Sequence, residues 1–342
     1  MKVNYDLQLK ILAHASLAPN AHNTQPARWW FRDDGEIWLL CDKNRSLPAE
    51  DPTGFVNRMT LGVAFEALSI AMSRYNLALE KPNYEDNEFT ALKNDKYKFI
   101  TRTKVVSESA VIDPLYDFVE RRHTFRGIFS EDLSSVDTEY LKSLPHILLT
   151  QDKNIINTCA ELTAEATLSL MKIYEANKEF YQWTRLLHSN PKWNLDGMSA
   201  DSLCLNGFER YGAIIGLNPL FFQMLSHIGL GKLFFSSQKH KNMTAPYIVT
   251  ILYDKDKNQY EQGQWLYRSW LQLTKAGLYA CPMSALSDYP PAADKFNTFI
   301  NIPPDKVVVK ILTAGPVKSL GKSAHRARLP AENYLLKNVH YE

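Results

Sequence analysis

Three short stretches of this chain concentrate side chains that chemistry uses. The first, LAPNAHNTQPARWW at 17–30, sets Asn20, His22, Asn23, Thr24 and Gln25 between Pro19 and Pro26. Asn and Gln each offer a donor and an acceptor, so together they can read an amide-like edge. Helix capping plus an Asx-turn would use one or two of these five residues and leave three unexplained. The second stretch, ERRHTFRGIF at 120–129, holds Arg121, Arg122, Thr124 and Arg126, and the third, SAHRARLP at 323–330, alternates Arg326 and Arg328. Guanidiniums clustered beside a hydroxyl suit a phosphate, whose oxygens Arg grips in bidentate fashion. Solvated surface charge is the commoner use of any one such cluster. Two clusters, each flanking an expected core element, shift the balance modestly toward an anion.

Other chemistries find no support. GPVKSLGKS at 315–323 mimics a phosphate-binding loop, but five residues rather than four separate Gly315 from Gly321. His14 and His22 lack the spacing of a helical metal pair. No GxGxxG follows a strand, and no GxSxG is present. Lys plus Arg number 39 against 37 Asp plus Glu, a net charge of +2 with no basic run, which argues against nucleic acid as a partner. Cys41, Cys159, Cys204 and Cys281 have no metal-ligand spacing, and MKVNYDLQLK lacks the apolar core of a signal peptide. Free thiols in a reducing cytoplasm are the simplest expectation. The most lipid-like stretch, 216–235, is interrupted by Asn218, Gln223, His227 and Lys232, so no membrane span is expected.

The elements that must position these residues can be read from periodicity. Residues 5–18 form an amphipathic helix stopped by Pro19, and a hairpin follows, turned at Asp33-Asp34-Gly35. Helical spacing recurs over 57–75, and 83–111 alternates like strands. A new segment begins near Asp113-Pro114, with a helix just before the arginine cluster. A helix at 134–144, a strand at 146–152 and a long helix at 154–177 come next. Residues 185–243 read as an irregular insertion rich in Gly, Asn and Pro, apolar enough to pack as a cover. Strand 245–254, helix 259–280 and strand 306–315 close the chain. Interleaved helices and strands over 342 residues give α/β or α+β architecture.

With these segments in hand, the chain resembles the FMN-dependent nitroreductase family, in its long Acg-like branch. APNAHNTQPARWW is similar to that family's A-P-S-x-x-N-x-Q-P-W loop, RRHTFRGIF to its R-R-S-x-R-x-F phosphate loop, and HRARLP to its C-terminal basic pair followed by Leu-Pro. GQWLYRSWLQLTKAGLYACPMSALSDYP resembles the late helix and the loop that faces flavin N5. The resemblance covers nearly the whole chain and implies an α+β, three-layer fold. It implies two fused halves, 1–112 and 113–342, forming an internal pseudo-dimer, with 185–243 as a lid. Each half keeps what the other lost: 1–27 contains no Arg, and EYLKSLP stands where the second Asn/Gln loop would be.

Carried over by position, the resemblance implies that Arg122, Thr124, Arg326 and Arg328 hold the FMN phosphate. Arg126 would sit near the ribityl chain or the N1/O2 edge, where a cation stabilises reduced flavin. Pro19, Asn20, Asn23 and Gln25 would line the isoalloxazine, and the backbone at Pro282, Met283 and Ser284 would approach N5. His123 stands within the Arg-Arg-Ser pattern, and Ala27 replaces the usual Trp. His22 is open between proton donor and turn-stabilising residue. Two functions follow: hydride transfer from NAD(P)H through FMN to a nitro or quinone-type acceptor, or flavin sequestration with little turnover. A weaker third keeps the fold and gives the arginines another phosphate ligand. The assembly would be a monomeric pseudo-dimer or a homodimer of it.

Overall fold

The computed structural model describes residues 3–84, 94–107 and 111–337. The chain starts with α1 (Tyr5–Ala15), whose first turn is capped by Asn4 accepting from the Leu7 amide at 2.9 Å. The helix stops earlier than the apolar spacing suggests. The carbonyls that follow, at Ser16 and Leu17, accept from arginines that come from elsewhere in the chain. Strands β1 (Ala27–Phe31) and β2 (Glu36–Asp42) form the expected hairpin, with Gly35 at φ 85° in its turn. Helix α2 (Phe55–Ser73), β3 (Ala78–Leu79) and β4 (Tyr97–Ser107) complete the first half. The remaining strand-like residues expected here, 85–93 and 108–110, lie outside the described residues.

The second half contains α3 (Thr138–Lys142), β5 (Ile147–Thr150), α4 (Lys153–Met171) and α5 (Tyr174–Gln182). The single helix expected over 154–177 is therefore two, broken at Lys172-Ile173. No helix precedes the arginine cluster beyond a single turn at Tyr116–Phe118. Pairing explains this: Thr124 forms a bridge with Ala280, and the Phe125 amide donates to the Ala280 carbonyl at 3.0 Å.

The insertion is not irregular. A short parallel pair, β6 (Thr184–Arg185) and β7 (Met198–Ser199), leads into α6 (Gly207–Gly216), α7 (Pro219–His227) and α8 (Leu233–Met243). The Asn, Gly and Pro residues that suggested loop are helix boundaries. Asn206 and Glu209 form a capping box, and Asn218 caps a helix that begins on Pro219. Strand β8 (Tyr247–Asp254), α9 (Gln259–Lys275), β9 (Tyr279–Pro282), α10 (Ser284–Asp288), α11 (Pro290–Asn297) and β10 (Lys306–Gly315) follow.

Two four-stranded antiparallel sheets result, ordered β1-β2-β4-β3 and β5-β8-β10-β9. Counted along the chain, both read first, second, fourth, third. In both, one long helix joins the second strand to the third: α2 in one, α9 in the other. These two helices pack on each other and share one hydrophobic core with both sheets, including Leu39, Leu61, Leu68, Ile251, Tyr267 and Leu271. The crossing is tight. A Cβ on Gly62 would collide with the Tyr260 carbonyl, and one on Gly263 with the Met59 carbonyl. Helix α2 is long and apolar enough to cross a membrane by length and composition, but most of it is buried in this packing.

Candidate functional site

The polar knot after α1 is a strained loop. His22, Asn23 and Gln25 have φ of 46°, 56° and 55°, left-handed conformations that cost non-glycine residues free energy. Hydrogen bonds hold them there. The Gln25 amide donates to the Asn20 side chain at 2.8 Å, and Gln25 Nε2 donates to the Leu195 carbonyl at 2.9 Å. Gln25 Oε1 accepts from the Leu329 amide at 2.9 Å and from the Tyr334 hydroxyl. Asn23 Nδ2 donates to the carbonyls of Gly197 and Ala327, both at 3.0 Å, and its oxygen accepts from Arg328 at 2.9 Å. The five-residue polar run thus ties together the insertion, the C-terminal segment and the end of α1.

Segment 194–197 of the insertion is pinned across this knot. Asp196 is buried between Arg185 at 2.6 Å and Arg45 at 3.2 Å, and Arg45 also donates to the Thr24 carbonyl at 2.7 Å. The Arg328 amide donates to the Asn194 carbonyl at 3.1 Å. Gly197, at φ 73°, allows the Trp183 carbonyl to come closer than any side chain would permit.

The arginines from the second and third stretches converge on the same place. Arg328 donates to the Ser16 carbonyl at 2.5 Å and the Leu17 carbonyl at 3.1 Å, and Arg122 donates to the Leu17 carbonyl at 3.0 Å. Arg326 donates to the Glu120 carbonyl at 2.6 Å, to the Arg122 carbonyl, and to His123 Nε2 at 3.0 Å. A second Arg326 nitrogen lies 2.8 Å from His123 Nδ1, which also faces the Arg121 carbonyl at 3.1 Å. Among the described residues, no carboxylate forms an ion pair with Arg122, Arg326 or Arg328.

Arg122 is 2% exposed, and its Nε and Nη1 have no hydrogen-bond partner among the described residues. It lies over the Trp270 ring, 4.9 Å from the centroid. The Tyr267 hydroxyl and the Trp270 indole nitrogen, both on α9, are also buried without partners. Burial, reinforced by Arg326, pulls the Arg122 pKa down to about 9. Burial, with Arg328 beside it, lowers Arg326 to about 10. A guanidinium keeps its proton at neutral pH, so this strain expresses a need for an anion rather than a neutral arginine. Buried donors in excess of acceptors fit a phosphate group.

The other expected site residues are placed as follows. Thr124 follows Arg122 by two residues and bridges to Ala280, while Arg126 Nη1 reaches into the insertion to the Ser202 carbonyl at 3.2 Å. Pro282, Met283 and Ser284 lie at the far end of β9. The Met283 amide is spent on the Ile311 carbonyl at 2.9 Å, and its side chain packs in a separate core with Ile156. His22 turns aside: Nε2 lies 2.7 Å from Glu50 Oε2 and the ring meets Phe180 edge-on. Pro19 and Asn20, with Gln25 and Tyr334, line a water-sized cavity of about 30 Å³. Sequence reasoning missed Tyr267, Trp270, Tyr334, Arg45 and Asp196. Tyr267 and Trp270 are spaced like core residues of an amphipathic helix, so only their polar tips could have marked them.

No protein-family profile matches the chain, and no curated protein does either. Among solved structures, it is similar to an FMN and NADPH-dependent nitroreductase, NfnB, from Sphigopyxis sp. strain HMH. That similarity has 14% identity over 64% of this chain and 94% of the other, with a TM-score of 0.32. It is also similar to the FMN-dependent nitroreductase NfnB from Mycobacterium smegmatis in complex with NADPH, at 13% identity over 61% of this chain and 90% of the other, with a TM-score of 0.33.

Proposed function

We propose that this chain is an FMN-binding oxidoreductase of the nitroreductase type, with one site built from two fused halves, 1–112 and 113–342. The repeated strand order supports the division. So does the helix crossing, where Gly62 meets Tyr260 and Gly263 meets Met59. Reciprocal contacts of that kind are what a two-fold interface produces.

The observation that carries the reading is the convergence of buried Arg122 with half-buried Arg326 and Arg328, without an ion-paired carboxylate among the described residues and backed by unpartnered donors. These arginines, with Thr124, would hold the phosphate of FMN. Bound FMN would accept a hydride from NAD(P)H and pass electrons to a nitro or quinone-type acceptor. The chain's own residues do the positioning. Arg328 couples the anion site to Asn23, so the knot cannot shift without disturbing the arginines. Segment 194–197 is bonded across the knot, and it would have to lift for substrates to enter.

The test is an absorption spectrum of purified protein after loading with FMN and desalting, followed by NADPH without oxygen. Retained flavin that bleaches is expected. Retained flavin that NADPH cannot bleach would replace the reductase with a flavin store. Loss of all flavin on desalting would overturn the cofactor assignment.

A further inference from the structure

The exposed large apolar residues of the described chain are concentrated on one element, the helical insertion. On α6, Phe208 is 90% exposed and Tyr211 70%, and Ile215 follows one turn on. Their spacing of three and four residues places them on one stripe. On α7 the stripe is Leu220, Phe221 and Met224, with Leu220 70% exposed, and Ile228 continues it. Leu230 and Leu233 extend it into the start of α8. Gly207, Gly212 and Gly229 have open space where a side chain would stand. The opposite faces are where these helices pack: Ala213 and Leu217 join Leu186 and Trp193, and Phe222 is fully buried. Exposed apolar surface of this extent marks a contact with something else.

Charge selects what that is. From Arg210 to Met243 the chain carries four Lys or Arg residues and no Asp or Glu, with Lys239 paired to Glu161 at 3.1 Å and Arg210 turned to the Leu186 carbonyl. The acid just before this run, Glu209, is taken by Lys241 at 3.2 Å and by Ser237. Lys232 is exposed at the tip of the apolar stripe, between Leu230 and Leu233. Aromatic and aliphatic anchors tipped by an exposed lysine that has no ion pair among the described residues suit helices that lie in the interface of an anionic bilayer.

We infer that helices α6, α7 and α8 dock this protein on an anionic lipid surface, lying on the membrane rather than spanning it. The surface stands apart from the arginine site, so the inference does not depend on flavin binding.

Flotation of the full-length protein with phosphatidylcholine vesicles, with and without phosphatidylglycerol, tests it. The protein floats with the anionic vesicles and stays behind with the zwitterionic ones. Phe208→Ser combined with Leu220→Ser lowers the partition coefficient about tenfold or more, as loss of two buried anchors requires. Lys232→Glu weakens binding to anionic vesicles and makes the remainder less sensitive to salt. These side chains are exposed, and unchanged circular dichroism will show that the variants fold. Failure to float with either vesicle, equal binding to both, or sedimentation as a dimer abolished by Phe208→Ser would overturn the inference.

Discussion

Arg328 donates from Nη1 to the Asn23 side-chain oxygen at 2.9 Å, across 305 residues of sequence. This bond makes the polar knot and the basic cluster one unit. The same guanidinium also caps the carbonyls beyond α1, where positive charge is favoured by the helix dipole. An anion bound by the arginines would therefore be felt in the knot and in segment 194–197.

Arg122 is the sharpest probe of that anion. A buried cation without a counter-charge is costly, and replacing such groups with apolar ones is often neutral or stabilising. Arg122→Met is expected to leave the ligand-free protein as stable, or more stable by about 1–2 kcal/mol, in urea unfolding. FMN retention should fall at least about tenfold, since one charge-assisted contact is worth that much. A variant that loses stability but keeps FMN would remove Arg122 from the phosphate site. Arg185 cannot serve as a neutral control, because it is buried against Asp196.

His123 supplies a pH signature. Burial first, and Arg326 second, depress its pKa to about 4 from an ordinary 6.5. Between those values the unfolded chain binds a proton that the folded chain refuses, so stability falls as pH drops from about 6.5 to about 4. Above that window His123 contributes no slope. Thermal unfolding midpoints should decline across the window in the native chain and less steeply in His123→Gln. Parallel curves for the two proteins would refute the assignment.

What the sequence disclosed follows from where the physics is local. The β1–β2 hairpin, α2, α9 and β10 announce themselves by periodicity and turn residues, and α1 lost only its last turn to the arginines. The insertion was misread because Asn206, Gly216, Asn218 and Pro219 punctuate helices as well as loops. The short turn at Tyr116–Phe118 replaced a helix because Thr124 and Phe125 pair with Ala280, a partner more than 150 residues away. For the same reason the arginine cluster was visible by type, while the bonds that occupy Asn23 and Gln25 were not. Their partners at Leu195, Gly197 and Leu329 are backbone groups, which no side-chain pattern reports.

The helix crossing gives a paired prediction. Gly62→Ala and Gly263→Ala each place a methyl against a carbonyl of the opposite helix. Each should cost about 1–3 kcal/mol, the usual penalty for overpacking. Because both widen the same interface, the double variant should lose less than the sum of the singles. Urea unfolding of the three proteins measures this. A tolerated substitution at one position and a severe one at the other would break the proposed equivalence of the two halves.

Beside the bonds from Asn23 and Gln25, the cover over the knot is held by Arg45, which among the described residues of the first half is the one that pairs with Asp196. Arg45→Met removes that ion pair and the bond to the Thr24 carbonyl, while Arg185 still satisfies Asp196 at 2.6 Å. The insertion should therefore stay folded but release the knot more often. Local opening exposes amides in proportion to its equilibrium constant. Loss of a partly buried pair and its bond should raise hydrogen exchange of the Gly197 amide, which donates to the Asn23 carbonyl at 3.2 Å, about tenfold. Exchange in α9 and of the Met198 and Ala200 amides, bonded to Trp183 and Arg185, should stay unchanged. If segment 194–197 is the barrier to nicotinamide, the same variant should be bleached faster by NADPH when loaded with FMN. Faster exchange without faster bleaching would keep the latch and discard the barrier, and unchanged exchange would discard both.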